Sequence, residues 1–234
     1  MAKLTLTLSA NAGVAIAFGG KRIWIDALHN DVVPGFSTID KKLLGKMLQC
    51  EAFFQPDVIC VTHCHGDHFS REMMLSAMEL WPQATVLLPE RKIPGQLLIE
   101  GEVYLHRAGA LEIRFVRLPH EGEEYANVIH YGILLSYDGK NVLLSGDCRR
   151  CAPELAQAIR GQNIDAAILD FPWLTLKKGR EFVAEHIGPR YCIGYHLPFA
   201  EDDSNGFRGS AQKAALEMGA ALLMDPLQTI ELEL

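Results

Sequence analysis

The chain has 234 residues, 49% of them hydrophobic and 22% charged, a composition that can bury a sizeable core and that excludes disorder, collagen and coiled coil. Lys and Arg number 22 against 29 Asp and Glu, a formal net charge of -7, so there is no excess of positive charge to neutralise a phosphate backbone, and nucleic acid is not an expected partner. The length suits one domain over 1–234.

From Met1 to Ser9 apolar and polar residues alternate, which predicts a strand and not the continuous apolar stretch of a signal peptide. Val14–Phe18 and Lys21–Asp26 flank Gly19-Gly20 as a hairpin. Asp57–Val61 predicts a buried strand, and the helix after it places Met74, Ala77, Met78 and Trp81 on one face. Ala84–Leu88 and Leu111–Leu118 are further strands, and Asp138-Gly139 turns Tyr131–Ser136 into Asn141–Ser145.

From Ala152 the pattern alternates. A helix carrying Leu155, Ala158 and Ile159 precedes the strand Ala166–Leu169; a helix with Phe182, Val183 and Ile187 precedes Tyr191–Gly194; and a helix with Ala211, Ala214, Ala215 and Met218 precedes Ala221–Met224. Hairpin sheet mixed with crossover helices predicts two mixed β-sheets packed face to face with helices on their outer sides, a four-layer αββα sandwich of the α+β class. There is no internal repeat, low-complexity tract or linker, and no apolar run approaches the ~20 residues that span a bilayer. A cytoplasmic protein without membrane association is expected. Its six cysteines are read as reduced thiols.

Chemistry concentrates in Thr62-His63-Cys64-His65-Gly66-Asp67-His68, where an apolar strand ends and a helix is about to begin. Histidines at i and i+2 can present imidazoles to one side of a tight loop, while Asp67 and His68, beyond Gly66, can face a second ion. His120, Asp147 and His196 share the same address, the C-terminal end of a strand where it meets a loop. Taken singly, each is equally well a turn aspartate or a capped surface histidine; with the cluster they form a set.

In the motif His63-x-His65-x-Asp67-His68 and the ordered series Asp26, His120, Asp147, His196, the sequence resembles the metallo-β-lactamase-fold hydrolase superfamily over nearly its whole length, within it the small single-domain, lactonase-like branch. The resemblance implies that His63, His65 and His120 hold one divalent ion, that Asp67, His68 and His196 hold a second, that Asp147 bridges them and that Asp26 supports a ligand from behind. Zinc is the expected metal, with manganese or iron as alternatives. The implied chemistry is hydrolysis by a hydroxide shared between the ions, with Asp67 orienting it, of a small ester, lactone, thioester or phosphoester.

His130 competes with His120, but strand alternation within Val128–Leu135 gives it a packing or supporting role. His29, His106 and His186 lack ligand spacing and are expected at the surface or at caps; Cys64 and Cys148 adjoin ligands and are expected to be fillers, not thiolate ligands. Arg149, Arg150, Lys177 and Lys178 are candidates for binding an anionic substrate, and Phe171, Trp173, Tyr195 and Phe199 for an apolar wall. Two other readings stand beside hydrolysis: iron-dependent redox chemistry of the persulfide dioxygenase kind, and a non-catalytic metal-binding module. A homo-oligomer is compatible with any of them.

Overall fold

The computed structural model describes residues 2–234, so Met1, the expected first residue of the opening strand, lies outside the described residues. In chain order the elements are β1 (Lys3–Leu8), β2 (Val14–Phe18), β3 (Lys21–Ile25), α1 (Lys41–Met47), β4 (Val58–Cys60), α2 (Arg71–Leu80), β5 (Thr85–Leu88), β6 (Leu97–Leu98), β7 (Val103–Ala108), β8 (Leu111–Arg117), β9 (Tyr131–Tyr137) and β10 (Lys140–Leu144). There follow α3 (Pro153–Ala158), β11 (Ala166–Asp170), α4 (Pro172–Thr175), α5 (Lys177–Phe182), β12 (Tyr191–Tyr195), α6 (Phe207–Met218), β13 (Ala221–Leu222) and β14 (Thr229–Glu233).

They form two seven-stranded sheets, ordered β14-β1-β2-β3-β4-β5-β6 and β13-β12-β11-β10-β9-β8-β7. The two share one plan. In each, an antiparallel meander (β1-β2-β3 or β8-β9-β10) passes into parallel strands (β3 to β6 or β10 to β13) at the strand whose loop carries a key aspartate, Asp26 or Asp147. Alternation decides which face each residue covers. In the second sheet Ile133, Leu135, Val142, Leu144 and Ile168 point to the central core, while Leu134, Leu143, Ala167 and Leu169 pack with Leu155, Phe182 and Ala214 from the covering helices. Strands buried on both faces are why these segments read as unbroken apolar runs.

On the other side, α1 buries Leu43 and Met47 and α2 buries Met73, Met74 and Ala77. Trp24 of β3 meets Trp81 edge-on (4.9 Å) and Phe53 (5.7 Å) beneath them. Asp40 and Ser70 cap the two helices through the backbone N–H groups of Leu43 and Met73. The structure adds to the expected elements α1, α4, β6, β7 and β14, and it shortens the last predicted strand to Ala221–Leu222. The helix expected to carry Phe182, Val183 and Ile187 is α5 continued by a wider turn over Val183–Ile187, ended by Gly188 in the left-handed region.

Candidate metal centre

The loops after β3, β4, β8, β10 and β12 open on one rim. Asp26, directly after β3, is fully buried and has φ 53°, a left-handed conformation that asparagine and aspartate tolerate better than most residues. Its carboxylate accepts three hydrogen bonds: from the Thr62 backbone N–H (2.7 Å), the Thr62 hydroxyl (2.7 Å) and His68 Nδ1 (2.9 Å). With its proton on Asp26, Thr62 Oγ1 accepts from His63 Nδ1 at 3.0 Å. Asp26 thus fixes two imidazoles through Nδ1, so that Nε2 is the nitrogen of His63 and of His68 available to an ion.

His63 Nε2 stands 3.0 Å from His65 Nδ1 and 3.3 Å from His120 Nε2. The other His120 nitrogen donates to the Glu121 carbonyl at 2.7 Å. His63, His65 and His120 are therefore one convergent donor group; Asp67, His68 and His196 are another, their donor atoms lying within 4.8 Å of one another. Asp147 lies between them. Its Oδ2 is 3.3 Å from His68 Nε2, 3.7 Å from His120 Nε2 and 4.0 Å from His63 Nε2, and its Oδ1 is 3.7 Å from His196 Nδ1.

Charge and desolvation separate the two groups. Burial, together with the charge of His68, pushes His63 well below the usual histidine range. Burial also opposes charge on His68 and His196, but there the carboxylates prevail: Asp147 and Asp26 hold His68 well above that range, and Asp147 and Asp170 raise His196 to about 10. Against the cost of its own burial, Asp147 is held far below the carboxylate range by His68 and His196. The pocket favours positive charge, so a bound cation would replace two protons. His68 Nε2, His196 Nε2 and Asp147 Oδ1 are moreover buried without a hydrogen-bond partner. Orphaned donor atoms on residues of converging groups fit a divalent ion.

His130, fully buried, is in neither group. Its ring centroid is 5.3 Å from that of His63 and 5.7 Å from that of His120, and burial pushes it down to about 3. Gly146 makes room for it: a Cβ there would stand 2.6 Å from His130 Nε2, and φ is 55°. Neither Cys64 nor Cys148 belongs to any donor group among the described residues; burial pushes the Cys64 thiol up to about 12. Asp170, the last residue of β11, escapes sequence reasoning. Its Oδ1 lies 3.3 Å from His196 Nδ1, so it orients the ring whose Nε2 stands 3.6 Å from Asp67 Oδ2.

Comparison of the sequence with protein-family models and with curated proteins finds no match. Solved structures do match. Igni18, described as a metallo hydrolase from Ignicoccus hospitalis, is similar over 99% of both chains with a TM-score of 0.69 at 16% identity. The metallo-beta-lactamase fold protein YhfI from Bacillus subtilis is similar over 99% of this chain and 100% of its own, with a TM-score of 0.64 at 12% identity. The chain has the metallo-β-lactamase fold. CmlA, a diiron beta-hydroxylase from Streptomyces venezuelae, shares that fold over 99% of this chain and 54% of its own, with a TM-score of 0.66 at 15% identity.

On this fold several expected substrate contacts are displaced. Trp173 and Tyr195 are 1% and 0% exposed, and Phe171 and Phe199 are buried too, so none of the four forms an open wall. Tyr195 ends β12 and packs into the central core, while His196 begins the loop after it with φ 60°. Arg149 pairs with Glu154 (3.7 Å), Arg150 with Glu121 (2.9 Å) and Lys177 with Glu181 (3.6 Å). The rings that do border the centre are Phe36, stacked on His196, and Tyr125, set against His65 and His120.

His29, expected at the surface, is instead fully buried, with Nε2 3.1 Å from the Ala10 carbonyl oxygen. His106 is half-buried on β7, and His186 is exposed against Phe182. Burial pushes His29 down to about 4. The unfolded chain binds a proton near pH 6.5 that the folded chain refuses, so this contribution is complete above that pH and is lost as pH falls toward 4, up to about 3 kcal/mol. His29→Gln, which keeps a donor for Ala10, should remove that part of the acid limb in urea unfolding of metal-free protein. An unchanged limb would contradict the assignment.

Proposed function

We propose that this chain is a metal-dependent hydrolase working with two divalent ions, zinc foremost, on a small ester, lactone, thioester or phosphoester. The observation that carries the reading is the pair of convergent donor groups meeting at Asp147, with His68 Nε2, His196 Nε2 and Asp147 Oδ1 buried and unpartnered. In this reading His63, His65 and His120 hold one ion, Asp67, His68 and His196 the other, and Asp147 both. Bound there, the ions would supply Lewis acidity and a water acidic enough to attack near neutral pH.

The chain's own contribution is positional. Asp26 and Thr62 hold the His63 and His68 rings through Nδ1, Asp170 orients His196, and Asp67, beside His196 and His68, would orient the attacking water. His130 sits behind the first group as neutral packing. Among the described residues no helix is long and apolar enough to cross a membrane, and the reading carries a cytoplasmic location and a small-molecule partner.

Elemental analysis of protein purified without chelator and then supplied with metal should give two ions per chain. His120→Ala should lose an ion while His130→Ala keeps both. Stoichiometry near zero would overturn the reading, and the reverse pattern in the variants would exchange the two histidines. The likeness to CmlA favours one competing reading, iron redox chemistry; iron as the metal retained, with no hydrolysis across an ester, lactone and phosphodiester panel, would support it.

A further inference from the structure

We propose that the mouth of this centre selects substrates whose non-reacting end is a compact organic cation, held by Phe36 and Tyr125. The proposal rests on the hydrolase reading and adds the class of substrate.

Each donor group is covered by one aromatic ring from a different loop. Phe36 lies flat on His196, with centroids 4.8 Å apart and planes at 9°. Tyr125 stands against the other group, 5.0 Å from His65 and 4.9 Å from His120. Tyr125 is 41% exposed and Phe36 half-exposed, so both rings present surface to whatever approaches. Neither loop hangs free. Phe36 closes a turn through its N–H to Val33 O (3.0 Å), and Ser37 beside it donates to Asp202 (2.6 Å) and accepts from the Phe199 N–H (2.7 Å). Tyr125 closes its own turn by donating to Gly122 O (3.1 Å), while its carbonyl accepts from Val128 N–H (2.9 Å).

The loops that carry and flank these rings bear charge of one sign. The segments 27–39, 119–129 and 197–206, which follow Asp26, lead in His120 and follow His196, contain no Lys or Arg. They carry the exposed carboxylates Asp31, Glu123, Glu124 and Glu201. Asp31 reaches the ligand loop itself: its carboxylate fills the place a Cβ on Gly66 would take. Beside Asp147, the guanidinium groups of Arg149 and Arg150 are already paired with Glu154 and Glu121.

A reacting carbonyl belongs at the histidine and aspartate cluster, and the part projecting past it meets ring surface and carboxylates. Ring faces attract cations by about 0.5–1 kcal/mol at exposed sites and about 2 when desolvated. The carboxylates add steering that salt screens. A phosphate or carboxylate in that place meets like charge and no base. The mouth therefore suits a substrate whose non-reacting end bears an amine better than one whose non-reacting end bears a phosphate or carboxylate.

The test is a matched series of small esters ending in trimethylammonium, its neutral tert-butyl isostere, or carboxylate, run on metal-loaded protein. Alongside it, ligand-observed NMR follows benzyltrimethylammonium and benzenesulfonate on metal-loaded and chelator-treated protein. At low salt, kcat/KM for the cation should exceed that of the isostere by about tenfold, mainly through KM, with the carboxylate about tenfold below the isostere. The double variant Phe36→Leu, Tyr125→Leu should bring the cation and its isostere level while metal content stays at that of the parent, and Asp31→Asn with Glu123→Gln should weaken the salt dependence. Benzyltrimethylammonium should bind even without metal, and benzenesulfonate should not. Equal binding of the two probes, or a cation preference that survives the double variant, would overturn the proposal. Cation binding lost in the double variant, with no ester cleaved by any protein, would uphold the mouth and overturn the hydrolase reading. Hydrolysis indifferent to charge would do the opposite.

Discussion

Replacing Asp147 with alanine is expected to empty both metal positions and to lower kcat/KM for the best ester by on the order of a thousandfold or more. The carboxylate stands within 3.3 to 4.0 Å of nitrogens in both donor groups, so neither group is complete without it. A metal pair contributes several kcal/mol to stabilising charge in the transition state, and about 4 kcal/mol corresponds to a factor near a thousand. Asp147→Asn keeps the shape and removes the charge, and should hold metal more weakly than the parent but more strongly than alanine. Elemental analysis and rates on the same samples decide the matter; full metal content with full turnover in Asp147→Ala would place the chemistry elsewhere.

Asp26→Ala should be the most damaging change to stability and metal affinity together. It strands the Thr62 backbone N–H, the Thr62 hydroxyl and His68 Nδ1, all buried. A buried donor left without a partner costs about 1–3 kcal/mol, so three amount to at least about 3 kcal/mol. Alanine is also strained at φ 53°. The neighbouring backbone leaves little slack, since a Cβ on Gly13 would stand 2.7 Å from the Asp26 carbonyl oxygen. Freed from its anchor, His68 should cost the second ion roughly 10- to 100-fold in affinity. Asp26→Asn tolerates the backbone and should recover much of the stability and little of the metal affinity. Urea unfolding of metal-free protein and titration against a competing chelator separate the two effects. Stability within about 0.5 kcal/mol of the parent in Asp26→Ala would show the corner to be dispensable.

The donor groups are legible because their signal is local or repeated. His63, His65, Asp67 and His68 lie together at the end of a short apolar strand, and His120, Asp147 and His196 repeat that strand-end address. Asp170 has the same address at the end of Ala166–Asp170, yet an aspartate after a strand is also an ordinary turn residue; only its 3.3 Å approach to His196 distinguishes it. Phe36 and Tyr125 carry no periodic signal at all, because a loop side chain is aimed by tertiary bonds such as those of Ser37. Tyr195 misleads for a simpler reason: as the last residue of β12 it packs into the central core, while His196 begins the loop with φ 60°. Among the elements, β14 alternates over Thr229–Glu233 as β1 does, but its partner lies at the far end of the chain, and α1 is one short helix holding Gly45 and a single pair of buried side chains. Elements this short draw their stability from packing, which leaves little trace in local sequence.

The donors also come from opposite sheets. His63, His65, Asp67 and His68 follow β4, while His120, Asp147 and His196 follow β8, β10 and β12. Coordination by Asp67, His68 and His196 would therefore join points separated by more than half of the sequence. All six cysteines are free thiols. In the chain-entropy account, a link closing a loop of ~100 residues removes about 4–5 kcal/mol of freedom from the unfolded polypeptide. What a disulfide does in other proteins would here fall to a reversible fastener, and the atoms that would hold an ion would also rivet the two halves of the chain together.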